Sequence, residues 1–251
     1  MTSQTTTISI PARFCGPVAS ANGGYASGLL AGFIDGPASV TLKAPPPLET
    51  PLTVERIEPG KSVRLMHGKQ EIATATSTSL EVTPPPIPTQ EDLKAARKSY
   101  LDGAPRHPLP GCFVCGPGRH EGDGLRIFAG ATPNSSVNAD IWVPGNDLAD
   151  EEGLVRKEFL WAAMDCPSAW ATRIPLHNKL ILLGRLSADI RLRPKPGDKL
   201  TIAAWPVDTD GRKHFSNVVV FDENTEIIAI ASAIWIEVTD PKFLKYLKTG
   251  K

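Results

Sequence analysis

The sequence predicts an α+β chain in which one small unit, a helix followed by antiparallel strands, is built twice. Three observations carry that prediction. Residues 73–82 (ATATSTSLEV) align with residues 229–238 (AIASAIWIEV) at a constant offset of 156, with Ala73/Ala229, Ala75/Ala231, Glu81/Glu237 and Val82/Val238 identical. Upstream of each copy lies a proline-rich strand–turn–strand, residues 42–55 and 192–204. Before each of those lies an apolar, helix-like run, residues 22–34 and 155–172. The same order of parts twice over is how a duplicated domain shows itself in sequence.

In the first unit, residues 1–83, Tyr25, Leu29 and Phe33 recur at i, i+4 and i+8 behind Asn22-Gly23-Gly24, and Gly36-Pro37 stops the run. Gly28 and Gly32 weaken this helix in isolation but leave a flat side for close backbone approach. Strands are expected at 39–43, 52–57, 62–66 and 71–82, the last two flanking the turn His67-Gly68-Lys69. Residues 84–120 form a connector: a stiff Pro84–Pro88 stretch, a charged helix over 90–100, and a Gly/Pro-rich segment holding a C-x-x-C. Its length suits a crossing between units better than a tight turn. The second unit, 121–251, is expected to have strands at 125–129 and 136–143, a helix from about 150 to 172, and strands at 180–193, 199–207, 213–222 and 226–238. The basic tail, 241–251, reads as a short surface helix.

Bulk composition narrows the function. The 251 residues carry 27 Lys+Arg and 27 Asp+Glu, so there is no basic field to hold nucleic acid or an anionic membrane. No apolar run approaches the length of a membrane span, and the N-terminus lacks a secretory pattern. With four cysteines, two of them in one C-x-x-C, reduced thiols in a cytoplasmic protein are the expectation.

Three local stretches carry a family resemblance: Asn22-Gly23-Gly24 at the start of the first helix, Leu52–Arg56 after Ala44-Pro45-Pro46-Pro47, and Cys112-Phe113-Val114-Cys115-Gly116 followed by Gly124-Leu125. In that order the chain resembles acyl-CoA thioesterases of the hotdog fold, specifically the tandem, double-hotdog kind. The resemblance implies two long helices, each wrapped by a curled antiparallel sheet. It implies an acyl-CoA or related thioester as partner, no cofactor, and homo-oligomers. Asn22 stands where the family often has histidine, which removes one titratable group.

Thioester hydrolysis needs a donor for the developing oxyanion and a base for the attacking water. Backbone N–H groups at a helix start supply the first. Asn22 and Gly24 are therefore candidate catalytic residues, with Gly23, Tyr25 and Ser168 as candidate substrate contacts; the structural alternative makes Asn22 a plain helix cap. Asp165, a lone carboxylate in an apolar helical stretch, is the candidate base. Its alternative role is the N-cap of a new segment started by Pro167. The first helix has no carboxylate two turns in, and the second has no glycine pair at its start. In hotdog proteins a site draws on both units, so with that complementary loss the resemblance implies one composite site, donor end from the first unit and base from the second.

Other chemistry is weaker. His107, Cys112, Cys115 and His120 are ligand types a zinc site uses, but one C-x-x-C in Gly/Pro-rich loops reads better as a thiol pair, and no bound metal is expected. Cys166 is a conceivable nucleophile with no histidine near it in sequence. His214 and Ser216 are read as surface or site-rim residues, and the five tryptophans as core or acyl-tunnel lining. The rival to a hydrolase is an inert double hotdog that binds an acyl or aromatic ligand or serves as a scaffold; a dehydratase is a third reading.

Overall fold

A computed structural model describes residues 5–174 and 179–250. The part of the expected second unit at 175–178 lies outside the described residues. In chain order the elements are β1 (Thr5–Ile8), α1 (Gly23–Ala31), β2 (Ala38–Leu42), β3 (Leu52–Glu58), β4 (Ser62–His67), β5 (Gln70–Ser77), α2 (Gln90–Asp102), β6 (Gly130–Ala131) and β7 (Asn138–Trp142). There follow α3 (Lys157–Ala171), β8 (Ile181–Ile190), β9 (Leu200–Asp210), β10 (Lys213–Phe221), β11 (Ile227–Glu237) and α4 (Pro241–Thr249).

All strands join one eleven-stranded sheet in the order β1-β3-β4-β5-β2-β8-β11-β10-β9-β7-β6. Every pairing is antiparallel, and β1 and β6 are the open edges. The midline is β2 against β8, where Ser39 faces Ser187 and their hydroxyls lie 2.8 Å apart. The sequence repeat has a counterpart in the ladders. Ala73 on β5 lies between Leu42 and Leu65, and Ala229 on β11 lies between Ile190 and Val220. Two residues on, Ala75 lies between Val40 and Val63, and Ala231 between Ala188 and Val218. The aligned alanines thus occupy matching register positions beside the strand that follows each long helix. Their small side chains keep that stretch of sheet low beneath the helices.

Helices α1 and α3 pack on each other and on the sheet, and a single apolar core runs through both. Their approach is set by glycine. A Cβ on Gly28 would stand 2.5 Å from Glu158 Cα, and one on Gly24 would stand 2.7 Å from the Trp161 carbonyl oxygen. Backbone contact of that closeness is open only to a residue without a side chain. Helix α2, begun by a Thr89/Asp92 capping box, lies on β6 and β7. Its Leu93 joins a second apolar cluster with Val137, Ala139, Val219 and Ile230.

Several sequence expectations shift. Residues 125–129 make no named strand; instead Leu125 and Ile127 donate N–H bonds to the carbonyls of Phe113 and Val114. The strand expected to reach 82 ends at Ser77, ahead of the proline run that lacks N–H donors. The helix expected from 150 begins at Lys157, because Asp150 caps a turn through the N–H groups of Glu152 and Leu154. Pro167 does not break it: α3 runs on to Ala171, so Asp165 is mid-helix and not a cap. His214 and Ser216 are not surface residues but buried, His214 bonded to Thr209 and Glu237. The tail helix is anchored, with Leu247 fully buried and its carbonyl accepting from Val18. The edge strand β1 has no forecast in the sequence.

Candidate active site

The start of α1 meets the middle of α3, and Asp165 stands at the junction. The Asn22 side chain works in two directions. Its Oδ1 caps α1 by accepting from Tyr25 N–H at 2.9 Å, and its Nδ2 donates to Asp165 Oδ2 at 2.5 Å. Gly24 packs directly on Asp165, and a Cβ there would stand 2.5 Å from the Asp165 Cβ. The other carboxylate oxygen, Oδ1, is buried and has no hydrogen-bond partner. Asp165 is 2 % exposed. Burial, and then the negative charge on Cys112, push its pKa up to about 7, against the opposing pull of Gly24 and Asn22.

Asn22, Gly23 and Asp165 line a cavity of about 340 Å³. Its walls are largely apolar: Leu42, Pro45 and Pro46 from the first half, Leu183, Trp170 and Trp235 from the second, with Leu109 of the connector over them. Lys43, Lys179 and Arg212 stand at the same cavity. Lys43 pairs with Glu71 and Lys179 with Glu237, and both lysines are about half exposed.

The candidate residues separate into two groups. Asn22, Gly23 and Asp165 come together at the cavity; Gly24 touches Asp165 but is not part of the lining. Gly24, expected to hold a carbonyl, packs against Asp165 instead. The neighbouring Gly23 lines the cavity, and its N–H lies in the first turn of α1, where no intrahelical acceptor exists. Tyr25 sits away from the cavity, stacked on Phe14 at 4.2 Å and against Phe113 and Phe159, and burial pushes its hydroxyl up to about 12. Ser168 lies behind Asp165: its hydroxyl donates to the Asp165 carbonyl at 2.6 Å and accepts from Trp235 at 3.0 Å. Both hold the scaffold in place and neither lines the cavity.

Sequence reasoning named the thiols here separately and missed that they meet. Cys112, Cys115 and Cys166, all buried, bring their sulfurs within 4.8 Å of one another. His107 Nε2 lies 3.4 Å from Cys115 Sγ, whereas His120 is not part of the group. Burial pushes His107 down to about 4, so the ring is neutral at pH 7. No spacing rule links Cys166 to the C-x-x-C, because helix α3 and the connector meet only in the fold.

No family model and no curated protein sequence matches this chain. Solved structures do. An acyl-CoA thioesterase II, TesB2, from Mycobacterium marinum superposes with a TM-score of 0.58 at 10 % identity, covering 95 % of this chain and 94 % of the other. The tesB protein of Mycobacterium avium subspecies paratuberculosis gives 0.60 at 12 %, covering 94 % and 93 %. A conserved protein with the hot dog fold from Alicyclobacillus acidocaldarius gives 0.54 at 10 %, covering 96 % and 95 %. The chain has the hotdog fold. Helices α1 and α3 meet at Asp165, whose carboxylate accepts from Asn22 at the start of α1. Among the described residues no helix is long and apolar enough to cross a membrane.

Proposed function

We propose that this chain is a thioester hydrolase made of two hotdog units in tandem, residues 1–83 and 121–251 joined by the connector, with one composite site between them. The observation that carries the reading is the buried Oδ1 of Asp165, an acceptor with no protein donor on a residue that lines a largely apolar cavity. An unpaired buried oxygen of this kind costs about 1–3 kcal/mol, more for a charged group, unless a water or ligand bonds it. A water on Oδ1 is the nucleophile. Asp165 takes its proton as general base and passes it to the departing thiolate, Asn22 holds the carboxylate in place through Oδ2, and the Gly23 N–H at the positive end of α1 receives the developing oxyanion. The acyl group lies along the leucine, proline and tryptophan walls.

The substrate class is an acyl-CoA. Lys43, Lys179 and Arg212 at the mouth suit its phosphates, while Asn22 replaces the familiar histidine without removing a base, since Asp165 supplies it. Steady release of free thiol from a panel of acyl-CoAs tests the reading; an inert protein that binds an acyl-CoA stoichiometrically and never turns it over would establish the ligand-binding alternative instead. Arg212→Glu is expected to raise KM for an acyl-CoA roughly three- to tenfold with little change in kcat, and to leave the same acyl group on a short uncharged thiol unaffected. Asn22→Ala is expected to lower thioester turnover about tenfold and stability by about 1 kcal/mol, because one side chain both orients the carboxylate and caps α1. Kinetics and denaturant unfolding of that variant separate the two effects. The sheet edges β1 and β6 and the paired-helix arrangement favour a symmetric homo-oligomer, which sedimentation would show as a mass above 26.9 kDa.

A further inference from the structure

We propose that Cys112, Cys115 and Cys166 form a three-thiolate site for a zinc-type divalent ion, fastening the connector to helix α3 beside the cavity. The distances suit such an ion. Zn–S bonds of about 2.3 Å put the sulfurs of a tetrahedral site about 3.8 Å apart. Here Cys112 Sγ and Cys166 Sγ are 3.6 Å apart and all three sulfurs lie within 4.8 Å of each other.

The surroundings offer hydrogen-bond donors to sulfur, and the C-x-x-C is folded as a tight turn. The turn closes through Gly116 N–H on the Cys112 carbonyl at 2.9 Å. A Cβ on Gly116 would meet that carbonyl oxygen and that of Pro110 at 2.5 Å, so the tight turn requires glycine. Cys115 and Trp170 share the cavity wall. Cys115 Sγ also faces His107 Nε2, and because His107 Nδ1 accepts from Leu109 N–H at 3.0 Å, the ring proton sits on Nε2 and points at the sulfur. His107 is thus a donor to a bound thiolate, an outer partner and not a ligand. Asn22 Nδ2 approaches Cys166 Sγ at 3.8 Å.

Among the described residues no lysine or arginine bonds any of these three sulfurs, so the protein supplies donors but no positive charge. Several thiolates packed this closely in a buried place repel one another, and a soft or borderline divalent cation is the charge that reconciles them. All three cysteines line the cavity, so the fourth coordination position is filled from it by water.

The experiment is metal analysis of the full chain purified under reducing conditions without chelator, followed by removal of the metal and loading with zinc or cobalt(II). We expect about one ion per chain, sulfur-to-cobalt charge-transfer absorption, and release of the ion as three thiols are alkylated. Cys112→Ser and Cys166→Ser are each expected to weaken zinc binding on the order of 100-fold or more in competition with a chelator, beyond the usual cost of losing an outer partner. Cys15→Ser, outside the cluster, retains the ion. Wild-type protein that takes up neither zinc nor cobalt after reduction overturns the proposal, whatever the variants do. So does undiminished zinc affinity in Cys112→Ser and Cys166→Ser, or a Cys112–Cys166 disulfide that forms in air and leaves no metal-binding protein on reduction. These readouts are independent of thioester turnover, so the site stands or falls apart from the proposed activity.

Discussion

Replacing Asp165 by asparagine is expected to lower thioester turnover by about 10²–10⁴-fold while leaving the fold intact. The substitution isolates the chemistry because the amide can reproduce the observed bonds. Its carbonyl oxygen takes the place of Oδ2 and accepts from Asn22 Nδ2, and its NH2 occupies the place of the unpartnered Oδ1. The position is mid-helix, so no cap is lost. Exchanging an ionisable buried group for a neutral one also lifts a desolvation cost, and the thermal midpoint should equal or exceed that of the parent. The expected kinetic signature is a fall in kcat with KM little changed, since the carboxylate acts on water and not on the acyl group. A variant that folds, binds substrate and turns over at the parent rate would remove Asp165 from the mechanism. A residual rate is expected in any case, because the Gly23 N–H and the positive end of α1 remain.

The second large effect concerns stability and lies one turn along α1. Gly28→Ala adds a single methyl, and on an isolated helix alanine would be favoured by about 1 kcal/mol. In the fold that methyl would stand 2.5 Å from Glu158 Cα and 2.8 Å from Trp161 Cβ, where backbone cannot give way as a long side chain does. The helices must separate, and overpacking of this kind costs about 1–3 kcal/mol, occasionally more. We expect a net loss of about 2 kcal/mol in denaturant unfolding, with reduced turnover because α1 carries Asn22 and Gly23 away from Asp165. Gly32→Ala is the control. At the C-cap its added Cβ would meet the carbonyl oxygens of Leu29 at 3.3 Å and Gly28 at 3.8 Å, in an ordinary helical conformation, so stability should change little. Equal stability of the two variants would mean that the α1–α3 approach is looser than the structure has it.

What the sequence determined by itself is local or periodic. The spacing of Tyr25, Leu29 and Phe33, the Asn22 cap, the repeat of small residues at 73–75 and 229–231 and the turn at His67-Gly68-Lys69 each act over a few residues. They specify helix, strand or turn wherever the chain goes. Those signals placed both long helices and most strands, and a resemblance built on Asn22-Gly23-Gly24 and the C-x-x-C pointed to Asp165 and Asn22. Element ends were less legible, because the strand at 125–129 and the end of β5 depend on which backbone groups find a partner across space. Only the tertiary structure decided the rest. Asp165 could not be told from a helix cap until α3 was seen to pass through Pro167 unbroken. Gly24 could not be known to pack on Asp165 outside the cavity, nor Tyr25 and Ser168 to stand away from it, until α1 and α3 were brought into contact. Cys166 and the C-x-x-C are more than fifty residues apart in the chain. Their meeting is a product of long-range packing, which carries no signature in the spacing of either segment.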